Sequence, residues 1–339
     1  MQKGRARLST IVDVAARAGV GVGTVSRVLN DSALVSDKTR ERVQAVIEEL
    51  DYRPSQLARN LSLGRTLTVG VIVPFLTQAA AMDRIRGIVA TLRTTPYDLV
   101  LFTVETPAQR TEQFRNLARN RVDGLLSVSL SPGDQEVERF RRAGIPVVLV
   151  NARHDSLPRI VTDDTAGGEL ATRHLIKLGH QRIAFIGEPA LDPYGLGWSG
   201  CRQIGYRNAL EAAGLEVRAG YQYLGQAGRP VAHRLTHELL RQQEPPTAVF
   251  VASDAQALAV MEAAQEMGID IPGQLSVIGF DDIDIAKYVG LTTIHQPLFE
   301  SGCRGVELLL EALQVETLEP FEEVLPLDLV QRRSTAPPA

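Results

Sequence analysis

After Arg65 the chain is paced by short, unbroken apolar runs: TVGVIV (68–73), DLVLFTV (98–104), GLLSVS (124–129), PVVLV (146–150), RIAFIG (182–187), AVFVAS (248–253) and LSVIGF (275–280). Longer stretches of helical periodicity separate them. Runs of Val, Ile and Leu without polar alternation are the mark of parallel strands, because the helices of successive crossovers cover both faces of the sheet. At least seven such strands over ~270 residues predict two doubly wound lobes rather than one sheet. A cleft at the carboxyl ends of those strands is then the place for a ligand.

The first 65 residues obey a different rule. Ile11, Val14, Ala15 and Ala18 fall at i, i+3, i+4 and i+7 on one helix face, with Thr10 as cap and Asp13 in a capping-box position. Gly19-Val20-Gly21 breaks the pattern, which resumes at Val22, Val25, Val28 and Leu29 and stops at Asn30-Asp31. A third helix begins after Ser36 and buries Val43, Val46, Ile47 and Leu50. Two short helices joined by a glycine turn and braced by a third describe a helix-turn-helix. The junction, YRPSQLARNLSLGRT (52–66), has a proline near its start, a glycine near its end and a helix-capable middle.

Charge separates the two parts. The whole chain carries −4, but residues 1–65 hold eleven Lys and Arg against seven Asp and Glu, a basic head on an acidic body. That asymmetry suits a head facing a polyanion. At 44% hydrophobic and 22% charged the chain is of ordinary globular composition. No run approaches the ~18 apolar residues of a membrane span. The basic start MQKGRARLS leads into no apolar segment, and Cys201 and Cys303 are the only cysteines. Both point to a reducing cytoplasm. The tail STAPPA is expected to be disordered.

In a helix-turn-helix the second helix enters the major groove and its first residues reach base edges. Here these are Val22 and Gly23, with Arg27 one turn on. Arg27 can contact guanine bidentately, Val22 only an apolar surface such as a thymine methyl, and Gly23 offers no side chain. Thr10, Thr24, Ser26, Asn30, Ser36 and Thr39 are hydrogen-bonders that suit either phosphate oxygens or plain capping.

Together TIVDVAARAGVGVGTVSRVLND (10–31), VSDKTRERVQAVIEELDYRPS (35–55) and LARNLSLGRT (57–66) resemble the head of the lactose-repressor/galactose-repressor family. The similarity continues through GVIVP (70–74), HLIKLGHQRIAFIG (174–187), VASDAQALAVM (251–261), LSVIGFDD (275–282) and LTTIHQP (291–297), nearly the whole chain. The resemblance implies an effector-controlled transcription regulator, most simply a repressor, acting as a homodimer on a pseudo-palindromic operator. It implies a head over 1–53, a hinge helix and linker over 54–66 and an effector-binding body over 67–339. The body is expected to resemble periplasmic binding proteins, with one lobe about 67–163 and 295–326 and the other about 164–294, returning near the C-terminus. Leu61 falls where the family's hinge wedges a leucine into the minor groove, with Ala58 and Asn60 beside it. A helix that short is unstable alone, so it should order only on DNA.

Carried over residue by residue, the resemblance places Asn151, Arg202, Asp254, Asp281 and Gln296 at effector-binding positions. The aromatics Phe75, Trp198 (in the loop before Arg202) and Tyr223 are candidates to stack on a sugar. Asp254 fits a helix cap as well, Asn151 a turn, and Asp281-Asp282 a simple loop pair.

Signals of catalysis are weak. Gly195-Leu196-Gly197-Trp198-Ser199-Gly200 has a dinucleotide-like spacing but stands too far beyond its strand. His233 and His237 share a helix face, yet Arg234 stands where a zinc protease needs glutamate. They read as a surface pair, and neither an enzyme nor a metal or cofactor site is expected; the only small molecule is the effector.

Overall fold

The computed structural model describes residues 9–29, 31–52, 65–117, 122–189, 197–225, 228–315 and 319–339. The chain divides into two compact units, Met1–Thr66 and Leu67–Ala339. Asn30 and the hinge positions Ala58, Asn60 and Leu61 lie outside the described residues.

The head holds three helices, α1 (Ile11–Ala18), α2 (Val22–Leu29) and α3 (Asp37–Glu49). Helices of eight residues are marginal alone, so packing makes them. Val14, Ala15, Ala18, Val25, Val28, Val43, Val46 and Tyr52 form one buried cluster drawn from all three and the turn beyond α3. The ends are set locally. Thr10 caps α1 in a reciprocal box with Asp13, and Gly19 closes it at φ 64, in the left-handed region. Arg40 then pins the loop between α2 and α3, reaching Asp31 at 2.6 Å and the Ser32 carbonyl at 2.8 Å.

The body opens with β1 (Thr68–Pro74), α4 (Ala79–Leu92), β2 (Asp98–Val104), α5 (Pro107–Leu117), β3 (Gly124–Val128), α6 (Asp134–Arg142), β4 (Val147–Val150) and β5 (Arg159–Thr162). The chain then crosses to a second lobe made of α7 (Asp164–Lys177), β6 (Ile183–Gly187), α8 (Trp198–Ala212), β7 (Gln222–Leu224), α9 (Arg229–Leu240), β8 (Ala248–Val251), α10 (Asp254–Glu266), β9 (Ser276–Asp281), α11 (Asp284–Val289) and β10 (Thr292–His295). It returns with α12 (Leu298–Ala312) and β11 (Glu322–Leu325), and crosses once more to β12 (Asp328–Val330).

Two six-stranded sheets result, ordered β11-β5-β4-β3-β1-β2 and β12-β10-β9-β8-β6-β7. Every pairing is parallel except β12 on β10. The seven apolar runs are all strands. β5, β7, β10, β11 and β12 escaped the periodicity because each is only three or four residues long and several are half-exposed edges.

One expectation is overturned. The tail is ordered: Ser334 and Thr335 are buried. Ser334 exchanges bonds with Val277, Thr335 meets His174 at 3.0 Å, and the Ala336 carbonyl accepts from His180 and Ser276. A low-complexity composition did not prevent the backbone from pairing along the polar groups that β9 and α7 leave open.

Candidate functional site

In the head, the outer surface of α2 shows Val22, Gly23 and Arg27, all exposed, with Thr24 and Ser26 half-buried beside them. Among the described residues the Arg27 side chain has no ion-pair partner, unlike Arg17 and Arg40. Three of the small polar residues, Thr10, Ser36 and Thr39, already have internal hydrogen bonds. The Thr10 hydroxyl donates to Asp13 at 2.7 Å, and Ser36, the residue before α3, shares a 3.0 Å bond with Thr39. The Thr10–Asp13 box fixes the start of α1, whose free N–H groups favour an anion.

In the body, the carboxyl ends of the strands are irregular in a consistent way. Phe75, Ser129, Asn151, Asp281 and Asp282 all have positive φ, between 47° and 112°, uncommon for residues with side chains and concentrated at functional sites. Phe75, Ser129 and Asn151 each keep one more ladder hydrogen bond before the chain turns away.

Five buried polar side chains meet there: Arg84 from α4, Thr162 from β5, Arg202 from α8, Asp281 from β9 and Gln296 from the second crossover. The Gln296 amide donates to Asp281 Oδ1 at 2.6 Å, and its carbonyl accepts from Arg84 Nη2 at 3.1 Å and Thr162 Oγ1 at 3.3 Å. Gln296 thus ties one lobe to the other. Arg202 donates through Nε to Asp164 at 2.8 Å and lies 3.6 Å from Asp281. Its guanidinium sits 3.7 Å from the Phe280 ring centroid and 4.8 Å from that of Trp198, a cation–π cradle.

Burial dominates the electrostatics. It pushes the Asp281 carboxyl up to about 6, against the opposing pull of Arg202 and Arg84. It lowers Arg84 to about 10, against the pull of Asp281 and Asp164. Glu188, directly after β6, is raised to about 7 by the same desolvation. Arg84 Nε and Glu188 Oε2 are buried with no hydrogen-bond partner among the described residues. A cavity of about 10 Å³ bounded by Arg84, Asn151, Thr162 and Gln296 has room for about one water.

Both site arginines stand on helices clamped by glycine. A Cβ on Gly168 of α7 would lie 2.3 Å from the Arg202 carbonyl oxygen, and one on Gly302 of α12 would lie 2.1 Å from that of Arg84. The contacts are reciprocal: Gly205, one turn past Arg202, lies against Thr165, and Gly87, one turn past Arg84, against Phe299. An Arg-x-x-Gly spacing therefore serves each lobe. That repeated spacing is the signal by which Arg84 could have been found from sequence.

The structure brings Arg202, Asp281 and Gln296 together. Asn151 lines the cavity and donates to Ser129 Oγ at 3.3 Å. Trp198 is not in a loop: it is the first residue of α8, so Arg202 follows one helical turn later and stacks on it. Phe75 stands half-buried at the end of β1. Two candidates are placed elsewhere. Asp254 is buried, with one oxygen accepting from Thr293 Oγ1 at 2.7 Å and the other from the Ile283 amide at 3.0 Å. Desolvation raises its carboxyl well above the ordinary range, and the cap of α10 is Ser253 instead. Tyr223 packs on the core of its lobe and accepts a bond from Gln242 at 2.9 Å. Asp282 pairs with Arg332 at 2.6 Å, holding the returning chain.

A helix-turn-helix on a two-lobed body of this topology defines a DNA-binding regulator controlled through a ligand cleft. Residues 10–55 match the model of the bacterial regulatory proteins of the lacI family, and 172–335 that of the periplasmic binding protein-like domain. The chain is 35% identical to the ribose operon repressor of Escherichia coli K12, covering 96% of this chain and 100% of the relative. The lac repressor dimer bound to operator and the anti-inducer ONPF superimposes with a TM-score of 0.84 at 29% identity, covering 97% of this chain and 100% of the other. A LacI family regulator of Enterococcus faecium with bound ribose gives 0.72 at 30% identity, covering 80% and 99%. The chain belongs to the lacI family of bacterial transcriptional regulators, DNA-binding repressors and not enzymes.

Proposed function

We propose that this repressor binds a sugar between the two lobes of its body and that the sugar sets its affinity for operator DNA. The observation that carries the reading is the Gln296 amide, bonded to Arg84 and Thr162 on one side and Asp281 on the other, next to the buried Arg202. Sugar hydroxyls both donate and accept, so they can exchange with these bonds, with Arg202 and Asp281 as principal partners and Asn151 and Gln296 completing the shell. Trp198 and Phe75 offer apolar faces to the ring. A relative named for the ribose operon and another holding ribose support a sugar over other small molecules. Binding acts only through differential affinity for the DNA-competent and DNA-incompetent forms.

On DNA, Arg27 reads a guanine, Val22 touches an apolar base edge, and Gly23 lets the backbone come close. Thr10, Thr24, Ser26, Asn30, Ser36 and Thr39 position the head on phosphates. The chain works as a homodimer on a pseudo-palindrome, as does the lac repressor dimer bound to operator. Hinge residues Ala58, Asn60 and Leu61 enter the minor groove at its centre, where wedging kinks the duplex. No helix of the described residues is long and apolar enough to cross a membrane.

Selection of bound duplexes from a random pool, with and without a panel of sugars, tests the reading. A palindrome should enrich and its occupancy change with one sugar, and Asp281→Asn should abolish that response without weakening sugar-free binding. A palindrome indifferent to every sugar would overturn the effector assignment.

A further inference from the structure

We propose that His233, His237 and Glu266 form a binding site for a divalent first-row transition-metal ion, with Zn²⁺ as the best fit. The two histidines lie four residues apart on α9, one above the other. The fold supplies what the sequence around them lacked: Glu266, the last residue of the neighbouring α10. Its Oε2 lies 3.0 Å from His233 Nε2 and 3.3 Å from His237 Nε2, and the three ligand atoms all fall within 4.8 Å of one another. In a tetrahedral zinc site with bonds of 2.0–2.2 Å, neighbouring ligand atoms stand roughly 3.3–3.5 Å apart. The two carboxylate–imidazole distances, 3.0 and 3.3 Å, need only a small outward adjustment to admit an ion.

The surroundings favour an ion over a mere hydrogen-bonded pair. Two imidazoles converge on a single carboxylate oxygen, with ring centroids 4.9 Å apart. His237 Nδ1 is buried with no partner among the described residues, so only the Nε2 edge of that ring is available, and it faces Glu266. Neighbouring cations are engaged elsewhere. Arg234 is paired with Glu238 at 2.5 Å, and Arg229 stands one turn earlier against Glu262 at 3.8 Å. Glu266 is exposed, so a hydrated ion can reach the site and keep water in its fourth position. Two imidazoles and one carboxylate suit zinc, nickel or copper, whereas magnesium and calcium prefer all-oxygen shells.

An ion here would staple α9 to α10 on the flank of the second lobe. Glu266 ends the 13-residue α10 that Asp254 begins, roughly 18 Å along the helix at 1.5 Å per residue. The staple therefore acts on the stability of this flank rather than on the cleft.

Isothermal titration of the untagged, chelator-treated, full-length protein with ZnCl₂ at neutral pH tests the proposal, with MgCl₂ as a parallel arm. Saturable uptake of one Zn²⁺ per chain with a micromolar Kd is expected, with no response to Mg²⁺. Replacing a ligand should cost more than disturbing its orientation, so Glu266→Gln and His237→Ala should each weaken Zn²⁺ binding by at least about tenfold. The Glu266→Gln change is at an exposed position and keeps the test valid if the histidine variant fails to fold. Lack of saturable Zn²⁺ uptake by the wild-type protein, or uptake at the wild-type affinity in both variants, would overturn the proposal.

Discussion

The crossing of α7 and α8 is the feature on which the position of Arg202 depends, and Gly168→Ala tests it directly. The new methyl carbon would lie 2.3 Å from the Arg202 carbonyl oxygen, where ordinary contact begins near 3.4 Å. The obstacle is backbone, so the helices must part by about 1 Å. Overpacking of this kind costs about 1–3 kcal/mol, and alanine's better helix propensity returns at most about 1 kcal/mol. A net loss of about 1–2 kcal/mol should lower the melting temperature of the body by about 2–6 °C. The same displacement carries Arg202 away from Asp164, now 2.8 Å distant. A charged hydrogen bond is worth about 1.5–3 kcal/mol, so the sugar concentration for half-response should rise about tenfold or more. Sugar-free operator affinity should stay within about twofold, because the head is a separate unit. Calorimetry and operator titrations by fluorescence anisotropy read both effects, with Gly133→Ala as a control whose Cβ meets nothing closer than 3.8 Å. A Gly168→Ala protein that melts at or above the wild-type temperature with normal sugar response would refute the argument.

Three further outcomes are expected. Arg27→Ala should cost about 1–3 kcal/mol at the cognate operator and relax one base position; competition binding against single-base operator variants reads this. Leu61→Ala should reduce operator bending and weaken specific binding more than non-specific binding, as circular-permutation gel shifts would reveal. Glu188 keeps its proton in the folded protein up to about 7, where an unfolded chain has lost it from 4.5 upward. The folded state therefore binds more protons across that window, and stability falls as pH rises through it, by up to about 3 kcal/mol. Asp281, raised from 3.8 to about 6, adds a loss of the same sign. Glu188→Gln should flatten the melting temperature profile between about pH 5 and 8; parallel profiles would show that this carboxyl is not the titrating group.

Much of the molecule is legible in the residues themselves, for a physical reason. Hydrophobic periodicity and capping act over a few neighbours, so the three head helices, the Thr10–Asp13 box and the seven apolar strands can be read without a fold. Asn151, Asp254 and Asp281 stand at or just beyond the ends of β4, β8 and β9, but it is the resemblance to the family that marks them as site candidates. What those residues then do is settled by partners far away in the chain. Asp254 and Asp281 follow similar strands, yet Asp254 is closed off by Thr293 and Ile283, while Asp281 joins Gln296 and Arg202.

Tertiary structure alone decided the rest. Arg84 and Glu188 matter because burial strips them of water beside other charges; the Arg-x-x-Gly spacing marks the place of Arg84, but no local pattern reports that either charged side chain is buried. Ser334 and Thr335 look like a loose end until β9 and α7 offer them open hydrogen-bonding groups. His233 and His237 remain a surface pair until the packing of α9 and α10 brings Glu266 across to them, 33 and 29 residues away in the chain. Local chemistry sets which elements form. Topology, which closes the distance between polar groups far apart in sequence, decides which of those groups meet.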